Sequence, residues 1–334
     1  MKNACCAALL LGITLGGPSC ASEPGGSSSS SPPPAIIELD PPGPKDPDLS
    51  AKAAVVLGSC LSDGGWYNPQ IVIGEFYYMI RGDNPSAEAI ERTTHCLAEK
   101  ADGCAGLERC FATTAHRITG AEPCKGGCQP GNVYKSCIGQ TIEMATDCSR
   151  LGMECYPGGC SPYPTRESCD PTTADLCKDG IPWHCPTGYT YQWRGLSCGE
   201  HDLVCAVTLE GPQPWSRCEG TGPVCDGIFT GDDVQFVAFG CEGTTARACV
   251  SDHEHVFDCG ELAKGFACQD MGSMYFQCGL AAECNMFTDQ SVCDGNDVVL
   301  CNGGRVDRVS CTALGFEGCD PDLGLCFPSP ASKR

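Results

Sequence analysis

Apolar residues follow two different rhythms along this chain. From Leu49 to about Thr119 the texture is helical: "DLSAKAAVVLGSCL" (48–61) is rich in Ala, Val and Leu, and "DGG" at 63–65 stops it. "NPSAEAIERTTHCLAEKADGC" (84–104) offers Asp83 or Asn84 as N-cap, Pro85 at the first helical position and Glu88 in the first turn. "AGLERCFATTAHRI" (105–118) continues the texture. These residues predict two or three short helices tied by Cys60, Cys96, Cys104 and Cys110, in a segment spanning 49–121. Past Cys124 the apolar residues come in short alternating runs broken by glycine. In "CDGNDVVLCNGGRVDRVSC" (293–311), "DVVLC" and "RVDRVSC" flank "NGG", the pattern of a β-hairpin whose turn needs φ > 0.

That stretch is one copy of four. The 24 cysteines from 124 to 326 resolve into sets of six. They are Cys124, Cys128, Cys137, Cys148, Cys155 and Cys160; Cys169, Cys177, Cys185, Cys198, Cys205 and Cys218; Cys225, Cys241, Cys249, Cys259, Cys268 and Cys278; and Cys284, Cys293, Cys301, Cys311, Cys319 and Cys326. Between the second and third members lie 8, 7, 7 and 7 residues, and between the third and fourth 10, 12, 9 and 9. A glycine follows each second cysteine: Gly131, Gly180, Gly243 and Gly295. After the fourth, "SRLGMEC" matches "TALGFEGC", while "GEHDLVC" in the second set diverges.

The sets delimit repeats at 122–164, 165–221, 222–281 and 282–328, with a tail at 329–334. A unit of about 45 residues with one hairpin buries too little apolar surface to fold alone. Disulfides of roughly 2–4 kcal/mol each stand in for the missing core. The expected fold is therefore small, disulfide-rich and mainly β. Four six-cysteine hairpin repeats are strung like beads behind a small α-helical four-cysteine segment. Each set is expected to pair within itself. Cys301, beside the turn, should not bond to Cys311, which shares the open end of the hairpin with Cys293.

Composition sharpens this picture. Aromatics make up 7% of the chain, so large cores are scarce, and the formal net charge of −21 repels nucleic acid and anionic lipid. At the N-terminus Lys2 precedes the apolar run "ALLLGITL" (8–15) and the small residues of "GGPSC" (16–20), a signal peptide over 1–19. This start resembles that of bacterial lipoproteins, which implies cleavage before Cys20 and its lipidation; ordinary secretion, with cleavage somewhere after Ser19 and no lipid, is the alternative. Setting Cys5, Cys6 and Cys20 aside leaves 28 of the 31 cysteines, an even number for pairing in an oxidising space. The Ser-, Gly- and Pro-rich run 20–48 then reads as a stalk.

The six-cysteine hairpin, with its glycine turn and the Leu-bearing segment of "CNGGRVDRVSCTALGF" (301–316), is similar to the peritrophin-type chitin-binding module. That resemblance implies sugar binding, with Tyr134, Trp183, Tyr191 and Trp193 as stacking candidates. Elsewhere "SDHEHVFDC" (251–259) sets His253 and His255 two apart beside Asp252, a spacing open to Zn²⁺ or Cu²⁺ but read here as exposed hairpin-tip histidines. "TGDDVQF" (230–236), "DGNDVV" (294–299) and "DPDLG" (320–324) are acidic clusters that turns explain as well as Ca²⁺ does. "RGD" (81–83) joins two helices, and the sequence holds no phosphate loop, nucleophile elbow or H-E-x-x-H motif.

The expectation is a lipid-anchored protein of the bacterial cell envelope, outer-membrane or extracellular, touching the membrane only through its N-terminal lipid. It needs no cofactor or metal, does not bind nucleic acid, and is not an enzyme. Its role is binding, adhesion or structural support toward a surface protein or polysaccharide. A glycan-binding module, a protease inhibitor using the 226–240 segment "DGIFTGDDVQFVAFG", and a metal-dependent hydrolase are the competing classes.

Overall fold

Each six-cysteine set folds into a unit of two parts, a three-stranded antiparallel meander and a short two-stranded hairpin. The computed structural model describes residues 44–61, 68–78, 85–100, 102–117, 125–138, 142–156, 159–161, 168–169, 175–185, 192–195, 197–208, 215–225, 238–271, 276–286 and 288–327. The chain is mainly β, with many small antiparallel hairpins and, among the described residues, four α-helices. In the fourth repeat the meander is Val292–Asp294, Asp297–Asn302 and Arg305–Ser310, and the hairpin is Gly318–Asp320 with Leu325–Phe327. Gly303 and Gly304 close "NGG" with φ of 56° and 80°, as a tight two-residue turn requires. The first turn of each meander holds Gly131, Gly180, Gly243 or Gly295, all at φ between 64° and 85° with open space where a Cβ would stand. Backbone conformation, not crowding, selects glycine there.

One further bond recurs in all four units. The fourth cysteine's N–H returns to a carbonyl of the first turn: Cys148 to Asn132, Cys198 to Gly180, Cys259 to Thr244 and Cys311 to Asn296, at 3.0–3.2 Å. A short 3₁₀ turn follows, then a left-handed residue and a buried apolar side chain. That pair is Gly152–Met153, Asp202–Leu203, Gly265–Phe266 and Gly315–Phe316. The divergent "GEHDLVC" therefore keeps the geometry, with Asp202 at φ 55° in place of glycine.

Disulfides hold the meander to the hairpin by one scheme. The second cysteine joins the fifth (128–155, 177–205, 241–268, 293–319) and the fourth joins the sixth (148–160, 198–218, 259–278, 311–326). The first joins the third in the later sets (169–185, 225–249, 284–301). Cys137 is also oxidised, and Cys124 lies outside the described residues. Cys301 and Cys311 are not joined to each other, and every described bridge of these sets stays within its set.

The helical segment differs from a bead. Its helices are α1 (Pro47–Leu61), α2 (Pro69–Tyr78), α3 (Pro85–Lys100) and α4 (Ala105–Phe111), with bridges Cys60–Cys104 and Cys96–Cys110. α1 is buried nearly all round, from Ser50 and Ala51 through Val55, Val56 and Leu57 to Leu61, with only Asp48 and Lys52 exposed. A helix apolar on every side must lie inside. It packs on the fourth repeat, where Cys326 N–H donates to Ser59 Oγ at 2.9 Å and Asn302 Nδ2 donates to the Pro47 carbonyl at 3.0 Å.

The same segment holds the first and third repeats. The expected helical texture ends at Phe111: Ala112 turns left-handed, and Thr113–Arg117 becomes a strand on the first repeat's sheet, beside Ile142–Asp147. The paired β-branched Thr113 and Thr114 suit a strand better than a helix. Lys45 bridges to Ala263 and the Tyr77 ring meets Phe266 at 4.8 Å. One apolar cluster thus runs through the helices and repeats one, three and four, which corrects the expected beads on a string. The second repeat joins the third through a separate cluster of Cys198, Leu203, Cys218, Ala248 and Val250. Among the described residues no helix is long and apolar enough to cross a membrane.

Candidate functional site

Polar side chains converge where α1 and α2 meet the fourth repeat. The strand Val292–Asp294 pairs with its neighbour only as far as Val299, leaving Cys301 without a strand on that side. Gln70 of α2 fills the gap. Its Nε2 donates to the Cys301 carbonyl at 2.9 Å and to the Met286 carbonyl at 3.2 Å, and its Oε1 accepts from Cys301 N–H at 2.7 Å. A side-chain amide here supplies the donor and acceptor of a missing strand. Beside it Tyr77 O–H donates to Asn302 Oδ1 at 3.0 Å, and burial pushes the Tyr77 pKa well above its ordinary value.

Asn302 leads on to charge. Its Nδ2 also donates to Asp307 Oδ2 at 2.6 Å, and Asp307 takes Arg305 through both oxygens at 2.5 and 2.6 Å. Arg305 reaches Asp48 of α1 at 2.7 Å. The hydrogen bond to Asp307 holds the guanidinium pKa above its usual value, against the opposing effect of burial. An open groove of about 380 Å³ lies alongside, lined by Asp48, Lys52, Arg305, Arg308 and Ser310 among others. Arg308 is itself paired with Asp294. The groove thus presents mutually neutralised ion pairs, which orient α1 on the hairpin rather than activate a nucleophile.

The residues singled out in the sequence fall in different places. Tyr134 is buried in the core, at 5% exposure, because it faces inward on its strand, so it is not a sugar platform. Trp183 is half-buried; Tyr191 and the Trp193 side chain lie outside the described residues. So do Cys20, the stalk before residue 44, "DGG" at 63–65, "RGD" at 81–83, "TGDDVQF", residues 226–237 of the proposed inhibitor loop, and the tail. "DPDLG" is a turn: the Asp320 carboxylate accepts from Asp322 N–H at 3.0 Å, and its carbonyl accepts from Gly324 N–H at 2.8 Å.

The histidines are not an exposed tip. Ser251 and Asp252 make the turn, and His253–Asp258 is a strand. His255 is buried against the second repeat and stacked on Phe257 at 5.5 Å; burial lowers its pKa, partly offset by Asp202. Cys284, Asp289 and Cys301 cluster closely enough to suggest metal, but the two sulfurs are bonded to each other and offer no thiolate.

Sequence reasoning missed Gln70, Asn302 and the Arg305–Asp307 pair. The last had a signal, opposite charges two apart on one strand face. Gln70 had none, since its partner lies 231 residues away. The chain matches no family model, no curated protein and no solved structure.

Proposed function

We propose that this is a non-catalytic, lipid-anchored surface protein of a bacterial envelope, whose repeats form a rigid binding or structural head. One observation carries the reading: the same bridge scheme recurs in every repeat, and α1 and its partners tie three of them to one core. A chain so dependent on disulfides belongs to an oxidising, extracytoplasmic compartment. Rigidity of this kind suits a surface that must keep its shape outside the cell, and lipid on Cys20 would hold it there through the Ser/Pro stalk.

Two measurements test the proposal. Cys20→Ser should abolish fatty-acid labelling and move the protein out of the membrane fraction; equal partition of the two forms would defeat the anchor. The purified head should be retained by insoluble chitin, peptidoglycan or an array of surface proteins. Loss of all retention after reduction, with native retention before, is the expected result.

A further inference from the structure

The second and third repeats meet along Gly220–Cys225, and no described disulfide crosses from one to the other. Gly222 N–H donates to the Glu254 carbonyl and Glu254 N–H to the Pro223 carbonyl, both at 2.8 Å, while Gly220 N–H donates to the Val250 carbonyl at 3.1 Å. The connecting segment lies so close that a Cβ on Gly220 or Gly222 would stand 2.6 Å from a backbone oxygen of His253 or Glu254. Ser251 Oγ donates to the Cys218 carbonyl at 2.8 Å.

His253 closes this junction with both ring nitrogens. Nδ1 stands 3.0 Å from the Gly222 carbonyl oxygen and Nε2 stands 2.9 Å from Glu219 Oε1. A carbonyl only accepts a hydrogen bond, and so does an ionised carboxylate. Only the doubly protonated ring donates to both. We propose that His253 is a proton-operated clasp between the second and third repeats: closed as the imidazolium, and weakened when the ring loses a proton. In the neutral ring that keeps its Nδ1 hydrogen, the Nε2 lone pair faces the Glu219 carboxylate, and the half-buried Glu219 must turn away. The hinge between two covalently closed units then loses one of its side-chain ties and keeps the backbone bonds, the Ser251–Cys218 bond, the Arg217–Asp252 pair and the small apolar cluster. The protonation state of the ring would thus set the stiffness of this joint.

Other charges face the same junction. Asp252 is paired with Arg217 at 3.2 Å and Glu254 with Arg247 at 2.7 Å. His255 lies across it near His201 and Asp202, and its burial favours the neutral ring. Acid therefore acts on His255 against the junction, and the test must compare variants at one pH. In the purified full chain, amide hydrogen exchange is read at Gly220, Gly222 and Glu254 for wild type, His253→Gln and Glu219→Gln. The ratio of wild-type to variant protection should be about tenfold larger at about pH 5.5 than at about pH 8. Two hydrogen-bonded N–H signals of the His253 ring at the lower pH accompany it. A ratio equal at the two pH values in either variant overturns the clasp.

Discussion

Replacing Gln70 with leucine is the sharpest test of how the helices are joined to the repeats. Leucine occupies nearly the same volume, so the cavity contribution is small, but it pairs with nothing. The Cys301 N–H and carbonyl, 2.7 and 2.9 Å from the glutamine amide, are left buried and unpaired. At roughly 1–3 kcal/mol for each such group, the loss comes to about 4 kcal/mol. That is a large fraction of a domain's usual stability of about 5–15 kcal/mol. Urea unfolding with the disulfides intact should show a lower midpoint, and the Cys301 amide should exchange much faster. Gln70→Glu sharpens the point, because its ionised carboxylate would face the Cys301 and Met286 carbonyls. That variant should be weaker than leucine at neutral pH and recover in acid, where the protonated group can donate once. An unshifted midpoint in Gln70→Leu, with Cys301 still protected, would refute the claim that α2 substitutes for a strand.

Three further outcomes are expected. Gly304→Ala should fail to fold normally, since its Cβ would stand 1.9 Å from the Ala281 oxygen, whereas Gly295→Ala, with open space, should lose only about 1–2 kcal/mol; thermal melts of the two distinguish them. Peptide mapping by mass spectrometry should find first-to-third, second-to-fifth and fourth-to-sixth bridges in the sets, and a bond between sets would contradict the fold. Because burial lowers the pKa of His255 in the folded state, stability should hold above the ordinary histidine range and decline as pH falls from there through the lowered value. His255→Gln should flatten that decline in urea midpoints taken between about pH 8 and about pH 5.

The repeat was legible because disulfide geometry tolerates little change in spacing between cysteines on paired strands. Its wiring was not, for a local reason. The fifth and sixth cysteines stand directly opposite each other (155 and 160, 205 and 218, 268 and 278, 319 and 326), yet each bonds elsewhere. Strand pattern alone cannot choose among such neighbours. The central position of α1 was hidden by its own uniformity. A run of Ala, Val and Leu without a polar face predicts a helix but names no partner, and beside the neighbouring α2 and α3 its partners come from the opposite end of the sequence. Asp202 concealed a conserved geometry in the second repeat because aspartate tolerates the left-handed region that glycine marks elsewhere. Of the candidate site, the opposite charges two apart on the Arg305 strand carried a signal that went unused; Gln70 carried none, since glutamine on an apolar helix looks like any solvated residue.

The burial of α1 also bears on how the protein is made. Ser59 meets Cys326 across 267 residues, and Pro47 meets Asn302 across 255. α2 and α3 cover part of α1 as soon as they are made, but its remaining face has no native shelter until the last repeat exists. Contacts this distant are slow to form, because the intervening chain must lose its freedom before they reward it. Until then one face of an apolar helix stands open, and a chain stopped short of the fourth repeat would keep it so. Aggregation of forms truncated before the fourth repeat is the expected consequence of a keystone laid early and locked last.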